Sequence, residues 1–183
     1  KFFTLSPKRV RELGIPQRDL LRVSPPGSSH LRGLALTGSA MTRLGQDGHA
    51  TWLLYPSDRP APETLAYIES GRATGIDTAY KCRVRKPWWR VPTLEPADLL
   101  LTYMNADTAR LTTNKARALH LNSVHGVYLK PDVRDLARDV LPIASLNSFT
   151  LLSAEIVGRS YGGGVLKVEP READRWRMPS AAL

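Results

Sequence analysis

Cysteine and long apolar runs are almost absent from this chain. Its 183 residues include one cysteine, Cys82, which excludes an internal disulfide and any cysteine-rich zinc site. No apolar stretch approaches the roughly 20 residues that a membrane-spanning helix needs. Charged residues follow the first apolar residues closely, so no signal peptide is predicted. These absences favour a cytoplasmic protein that does not associate with a membrane.

The chain also lacks the motifs typical of enzyme active sites. Its four histidines occur in no metal-binding spacing such as HExxH, and neither a GxSxG nor a GxxxxGK(S/T) loop is present. Asp132, Asp135 and Asp139 have helical spacing, which favours a solvent-facing helix start over the metal site of a nuclease. We therefore expect no metal site and no catalysis in this chain alone.

Residues 24–27, SPPG, come closest to a catalytic motif. Enzymes that methylate exocyclic amines use two prolines and an aromatic residue to hold a flipped base. The prolines are present here, but the stacking aromatic is missing. No strand is predicted before the motif, and no glycine-rich cofactor loop occurs upstream. We interpret the segment as a turn.

Positive charge is abundant and unevenly distributed. Lysine and arginine number 26 against 17 aspartate and glutamate residues, a net charge of +9. Residues 1–90 carry a net +8 and residues 91–183 only +1. Two stretches, 81–90 and 110–130, contain no acidic residue. Clustered cations attract a polyanion such as nucleic acid, although a solvated basic face produces the same pattern.

Apolar periodicity, proline and glycine predict short helices and strands. The predicted strands are residues 2–5, 50–55, 98–104, 110–113 and 165–168, with a pair or one bent strand at 118–121 and 124–129. The predicted helices are residues 7–13, 16–23, 37–44 closed by Gly45, 62–70 ended by Gly71, 132–140, 145–157 ended by Gly158, and 169–175. In residues 145–157, one helix face carries Leu146, Phe149, Leu152 and Ile156. The mixture predicts an α+β fold, either one recognition domain or lobes 1–75 and 76–183.

The first candidate for nucleic-acid binding is YKCRVRKPWWRVP, residues 80–92, within a segment predicted to be extended over residues 75–93. An extended backbone would project Lys81, Arg83 and Arg85 from one face. Arginine can bind phosphate or guanine, and a tryptophan stacked on a base contributes about 1–3 kcal/mol. The candidate DNA contacts are Lys81, Arg83, Arg85, Lys86, Trp88, Trp89 and Arg90. Alternatively, one tryptophan lies in the core and the other covers arginine stems.

The second candidate is NKARALHLNSVHGVYLK, residues 114–130. Asn114 and Asn122 can pair with adenine edges, because an amide both donates and accepts hydrogen bonds. The cations and histidines of the segment can reach phosphate, and they are Lys115, Arg117, His120 and His125. A sheet segment with polar residues in its turns is the alternative.

The third candidate is GRSYGGGVLKVEP, residues 158–170. Gly162, Gly163 and Gly164 can adopt positive φ and let backbone N–H groups approach an anion closely. Arg159 and Tyr161 precede the glycines, and Lys167 follows on a predicted strand. A simple hairpin turn is the alternative.

The run NSFTLLSAEIVGRSYGGGVLKVEP resembles the C-terminal part of TaqI-like adenine-N6 DNA methyltransferases of restriction–modification systems. The segments LRGL, YIESG, YKCRVRKPWWRVP, DLLLTYM and LNSVHGVYL are similar in the same order. The residues at the motifs of highest similarity are Arg85, Trp88, Trp89, Arg159, Tyr161, Gly162, Gly163 and Gly164.

This resemblance implies a target-recognition domain that binds duplex DNA and positions one adenine for extrusion. Methyl transfer from S-adenosylmethionine would occur in a separate methyltransferase domain, expected before Lys1. Two alternatives remain open at this point. One is an RNA-binding module, and the other is a protein-docking module that uses exposed Trp88 and Trp89.

Overall fold

The computed structural model describes residues 2–93 and 95–179 and divides the chain into two compact units. Unit 1 comprises Lys1–Pro25 and Ser39–Glu95, and unit 2 comprises Pro26–Gly38 and Pro96–Leu183. Both units combine helices with small antiparallel sheets, which confirms the predicted α+β class. That the whole chain acts as one recognition domain stays a prediction.

A three-stranded antiparallel sheet organises unit 1. Its order is β1–β3–β2, formed by Thr4–Leu5, Trp52–Leu54 and Leu20–Arg22. Four helices accompany the sheet: α1 (Pro7–Leu13), α2 (Gly38–Gln46), α3 (Pro62–Ala73) and α4 (Tyr80–Arg83). The N-terminus of α1 is capped as the sequence predicts, because Ser6 Oγ accepts a hydrogen bond from the Arg9 amide at 3.2 Å.

The prediction of a helical turn over residues 16–23 is wrong in its second half. A 3₁₀ turn at Gln17–Asp19 leads directly into β2. The buried Asp19 carboxylate accepts a hydrogen bond from the Ala61 amide at 2.9 Å, and Leu21 pairs with Leu53 in the sheet. This long-range pairing overrides the local preference. A strand therefore does precede the SPPG segment, contrary to the prediction, whereas Gly27 still stands where a stacking aromatic would be needed.

Residues 75–93 are not extended as predicted. They form a 3₁₀ turn at Ile76–Thr78, helix α4 and a cis Lys86–Pro87 peptide. The helical turn buries Cys82, which an apolar-polar alternation does not reveal. Lys81, Arg83 and Arg85 consequently do not share one face of a strand.

Two glycines predicted to end helices lie inside them instead. Gly45 belongs to α2, where an added Cβ would lie 2.7 Å from Pro7 Cγ. Gly71 belongs to α3, where a Cβ would lie 2.4 Å from Phe2 Cζ. Both glycines therefore serve close packing between elements rather than helix termination.

Unit 2 contains two three-stranded antiparallel sheets. The first has the order β6–β4–β7, formed by Leu111–Thr113, Leu99–Thr102 and Val124–Val127. The second has the order β5–β9–β8, formed by Met104–Asn105, Val165–Lys167 and Arg159–Tyr161. No strand forms over residues 118–121, so only the second half of that predicted pair is correct. The core of the unit includes Leu99, Leu101, Ala109, Leu111, Ala154, Leu166, Val168 and Trp176.

Three helices complete unit 2: α5 (Arg134–Ala144), α6 (Ser148–Val157) and α7 (Pro170–Ala173). Asn147 caps α6 by accepting from the Thr150 amide at 3.0 Å, and Gly158 ends the helix as predicted. The predicted apolar face of α6 is exposed to solvent: Phe149 is 62% exposed and Ile156 is 73% exposed. Helix α5 also exposes apolar side chains, which are Leu136, Val140 and Ile143.

No single helix among the described residues is long and apolar enough to span a bilayer. By length and composition alone, the bent pair of α5 and α6 could do so, and its two helices meet at 88°.

Candidate nucleic-acid interface

The basic turn of unit 1, residues 80–86, presents cations and apolar side chains together. Lys81, Arg83 and Lys86 are exposed, and so is Tyr80, at 73% of its surface. The Arg85 guanidinium lies over the Phe3 ring, 5.6 Å from its centroid. Exposed cations beside an exposed aromatic ring suit a sugar–phosphate backbone, since the charges attract phosphate and the ring packs on sugar or base.

Trp88 and Trp89 lie beside this turn but serve the interior of unit 1. Both pack against the core cluster, and their rings meet edge to face with centroids 6.0 Å apart. Phe2 approaches Trp88 at 5.8 Å. Arg90, the last cation of the motif, contacts Asp58 at 2.5 Å. The alternative is thus confirmed in its first part, since both tryptophans, each half-buried, pack against the core. Its second part, that one tryptophan covers arginine stems, stays a prediction.

The second segment contributes fewer surface groups than its sequence suggests. Asn114 is buried, and its amide donates to the Ala97 and Ala118 carbonyls at 2.9 Å and accepts from the Ala118 amide at 3.0 Å. The proposal that Asn114 pairs with adenine is therefore wrong, since its hydrogen bonds hold the turn that follows β6. The residues of this segment that remain exposed are Lys115, Arg117, Asn122, Tyr128 and Lys130. Lys115 contacts Asp139 at 3.5 Å.

The two histidines of this segment are structural. His125 Nε2 donates to the Val168 carbonyl at 2.8 Å, and its ring meets Tyr103 edge to face at 5.0 Å. His120 packs against Gly126, where an added Cβ would lie 2.4 Å from the imidazole Cε1. Neither side chain is placed primarily to contact phosphate, which corrects the prediction for both. Burial, and secondarily His125, lowers the pKa of His120 below its ordinary value of 6.5.

The lowered pKa of His120 makes the stability of the protein pH-dependent. The folded state binds a proton less readily than the unfolded chain, so the free energy of unfolding should fall as the pH drops below about 6.5. Substituting His120→Gln removes this titration. Urea denaturation at about pH 7.5 and 5.5 should show a smaller loss for the variant than for the unaltered protein. Equal losses would show that His120 is not the responsible group.

The third segment forms a hairpin, here called the glycine hairpin, in which β8 and β9 are joined by Gly162–Gly164. Gly163 and Gly164 adopt φ of +80° and +76°, as predicted, and nothing lies within 4 Å of a Cβ added to any of the three. Strand β8 is an edge strand of its sheet. Its two large side chains point outward, with the Arg159 side chain 70% exposed and Tyr161 58% exposed.

A polar network supports the base of the glycine hairpin. Lys167 Nζ contacts Glu169 at 2.7 Å, and the Tyr103 hydroxyl donates to the same carboxylate at 3.0 Å. The Lys167 ammonium also lies 5.6 Å from the centroid of the Tyr161 ring. Glu169, followed by Tyr103, raises the pKa of Lys167, while Lys167, followed by Tyr103, lowers the pKa of Glu169. Lys167 therefore orients Tyr161 rather than projecting freely.

Glu172 holds the Nε atom of the Arg159 guanidinium group in place. Its carboxylate, only 9% exposed, pairs with Arg159 Nε and also accepts from the Glu169 amide at 2.8 Å. The terminal guanidinium nitrogens of Arg159 make no hydrogen bond among the described residues. Sequence inspection missed Tyr103, Glu169 and Glu172. The local signal was the two-residue spacing between Lys167, the last residue of β9, and Glu169, the residue that precedes α7.

The whole chain, residues 1–183, matches a family described as the C-terminal domain of the Type II methyltransferase M.Eco57I. The chain belongs to this family. The region of this chain that matches the M.Eco57I C-terminal-domain family thus includes both the basic turn and the glycine hairpin. No group of His, Cys, Asp or Glu among the described residues could hold a metal ion.

Two curated relatives of this domain are methyltransferases. The chain is 36% identical over 118 residues to the Type II methyltransferase M.XamI from Xanthomonas campestris pv. amaranthicola, a match that covers 63% of this chain and 21% of the relative. It is 22% identical over 184 residues to the Type II methyltransferase M.AccI from Acinetobacter calcoaceticus, covering 100% of this chain and 34% of that relative. The chain therefore spans about a third or less of the relatives it matches.

Proposed function

We propose that this C-terminal domain is the target-recognition part of a TaqI-like adenine-N6 DNA methyltransferase and binds a specific site in duplex DNA. S-adenosylmethionine would bind in a separate N-terminal methyltransferase domain, and the protein would act in the cytoplasm. The observation that carries the proposal is the glycine hairpin. It presents Arg159 and Tyr161 on β8, an edge strand of the three-stranded sheet, and its tip, which extends beyond β5 as a two-stranded ribbon, carries no side chain.

The dimensions and chemistry of the glycine hairpin suit a DNA groove. A two-stranded β-ribbon fits the major groove of B-DNA, where arginine forms bidentate hydrogen bonds with guanine. Arg159 can do so because Glu172 engages its Nε and leaves the terminal nitrogens to reach a base edge. Gly162–Gly164 allow the backbone to approach DNA closely, since no side chain intervenes. We assign sequence discrimination to Arg159 and Tyr161 and support of the hairpin to Lys167.

The basic turn supplies affinity without discrimination in this proposal. Lys81, Arg83 and Lys86 are exposed and form no ion pair among the described residues. Contacts with phosphate hold a protein on the duplex but carry no sequence information. Arg85, Trp88, Trp89 and Arg90 shape the turn, since each of them contacts other parts of unit 1. Lys115, Arg117 and Asn122 are assigned weaker or indirect roles at the interface.

The salt dependence of DNA binding tests the role of the basic turn. Each phosphate contact contributes about 0.9 to the slope of log affinity against log salt concentration. Replacing Lys81, Arg83 and Lys86 together by glutamine should therefore reduce the slope by about 2–3 and weaken all duplexes equally. Fluorescence anisotropy over a salt series measures this slope. Unaltered protein whose binding is insensitive to salt would contradict the proposal.

An RNA-binding module is the principal alternative from the sequence. It depended on aromatic side chains that stack on unpaired bases. Trp88 and Trp89 pack against the core of unit 1, which removes two of those candidate platforms. Competition between unlabelled duplex DNA and single-stranded RNA separates the two hypotheses. We expect duplex DNA to compete more strongly.

A protein partner is best accommodated on α6. Phe149, Leu152 and Ile156 line a cavity of about 500 Å³ bordered by Arg175 and Arg177. Exposed apolar patches on a domain typically mark a protein interface. The two relatives are at least about three times as long as the matched region, so each carries further chain that could cover such a face. We propose that the methyltransferase domain occupies the α6 face, in place of docking through Trp88 and Trp89.

A further inference from the structure

A cavity of about 440 Å³ in unit 1 has a strongly basic lining. Lys8 and Arg11 reach it from α1, Arg22 from β2, and Trp52 from β3. Gly45 and Gly48 form part of its wall. Among the described residues, no aspartate or glutamate lines the cavity.

The cations of this cavity have no carboxylate partner among the described residues. Elsewhere in the same unit, Arg9 pairs with Glu12 at 3.1 Å, Arg72 with Glu69 at 3.1 Å, and Arg90 with Asp58 at 2.5 Å. Three cations brought together without a neutralising acid repel one another. An anion that enters the cavity relieves this repulsion, so the arrangement favours a negatively charged ligand.

The contact between Arg22 and the Trp52 ring indicates which kind of anion the cavity can bind. The Arg22 guanidinium lies over the indole ring, 5.6 Å from its centroid. This cation–π contact covers the ring face on which a base would stack and orients Arg22 at the same time. A guanidinium held in this way suits the oxygens of a phosphate. The cavity therefore offers recognition of a phosphate group rather than of a base.

We propose that the cavity formed by Lys8, Arg11 and Arg22 binds a backbone phosphate of duplex DNA. This proposal rests on the proposed DNA-binding function and adds a contact that is separate from the basic turn and the glycine hairpin. Because phosphate is common to all sequences, the contact strengthens binding to every duplex equally.

A pair of charge-matched variants tests the contact. Lys8→Gln with Arg11→Gln removes two exposed cations of the cavity, whereas Arg9→Gln with Arg72→Gln removes two that are already paired. The cavity variant should bind both specific and unrelated duplexes about tenfold more weakly, and its salt slope should fall by about 1. The control variant should change neither quantity by as much. Equal behaviour of the two variants, with DNA binding otherwise intact, would overturn the cavity assignment and leave the proposed function standing.

The indole N–H resonance of Trp52 reports directly on the cavity. Trp52→Phe identifies the signal in a ¹⁵N–¹H spectrum of the protein. Addition of duplex DNA should shift it, and the shift should be lost in the Lys8→Gln, Arg11→Gln variant. Inorganic phosphate is the competing probe. A shift with inorganic phosphate but none with duplex DNA would assign the cavity to a small free anion and overturn the proposal. Absence of any duplex binding by the unaltered protein would overturn both this proposal and the proposed function.

Discussion

A protein carrying Arg159→Ala and Tyr161→Ala is expected to lose about 100-fold in affinity for its recognition site. The affinity for unrelated duplex DNA should change little. A bidentate arginine–guanine contact contributes about 1–3 kcal/mol of discrimination, and an aromatic contact with a base a further 1–3 kcal/mol. The effect is concentrated on specific binding because the phosphate contacts lie in other segments. Anisotropy titrations of specific and unrelated duplexes measure the ratio.

The matched control for this variant is Arg171→Ala. Arg171 is an exposed arginine on α7, outside the glycine hairpin. Arg171→Ala should unfold within about 0.5 kcal/mol of the unaltered protein. The double variant should lose about 1–3 kcal/mol, because the nearly buried Glu172 carboxylate loses its Arg159 partner, and it is compared at a temperature at which both variants are folded. An equal loss of affinity for specific and unrelated duplexes would show that the glycine hairpin contributes only charge. The discrimination would then reside elsewhere in the chain.

Replacing Phe149, Leu152 and Ile156 by glutamine is expected to detach this domain from the methyltransferase domain. Truncating a few central apolar residues of an interface commonly costs 2 kcal/mol or more each, so we expect association to weaken at least about 100-fold. If the full-length protein is the methyltransferase that we propose, its methylation of DNA at low concentration should fall by a similar factor. Methylation kinetics and the radius of gyration from X-ray scattering measure the two consequences.

The fold of this domain should tolerate the same three substitutions. The side chains are exposed, and glutamine has a helix propensity close to that of leucine. Glu155→Gln, also exposed on α6, is the control. If the triple variant retains full activity and the same radius of gyration, the α6 face does not contact the methyltransferase domain. A triple variant that unfolds would show that the face is part of the core.

Local sequence signals predicted helices and strands well where contacts within the same segment determine the structure. Ser6 and Gly14 bound α1, and Gly158 ends α6, because capping depends on adjacent residues. The α+β class followed from the same signals. Predictions were wrong where contacts between residues far apart in the sequence determine the local structure. Gly45 and Gly71 resemble helix terminators in sequence, yet they lie within helices because Pro7 and Phe2 approach them closely.

The candidate site was only partly predictable for the same reason. The triple glycine predicted a loop with positive φ, which Gly163 and Gly164 adopt, since positive φ is a local property. The hairpin was the alternative, and strand β8 was not predicted, because its pairing with β9 has no local signal. In contrast, the alternation of cations and aromatics in residues 80–92 indicated a strand, whereas burial of Cys82 and packing of Trp88 produce a helical turn. The cavity of Lys8, Arg11 and Arg22 joins separate elements, so no spacing in the sequence reveals it. The periodicity of α6 identified an apolar face but not its exposure.

Selection from a library of duplexes with random sequence tests the central claim most directly. The protein is incubated with the library at physiological salt, and bound duplexes are recovered and sequenced. Our account predicts one short enriched site, bound at least about 1,000-fold more tightly than unrelated duplex DNA, as is typical of specific recognition. Arg159→Ala with Tyr161→Ala should abolish the enrichment. Recovery of all sequences in proportion to their abundance, by a protein that does bind duplex DNA, would contradict the claim that this domain recognises a specific site.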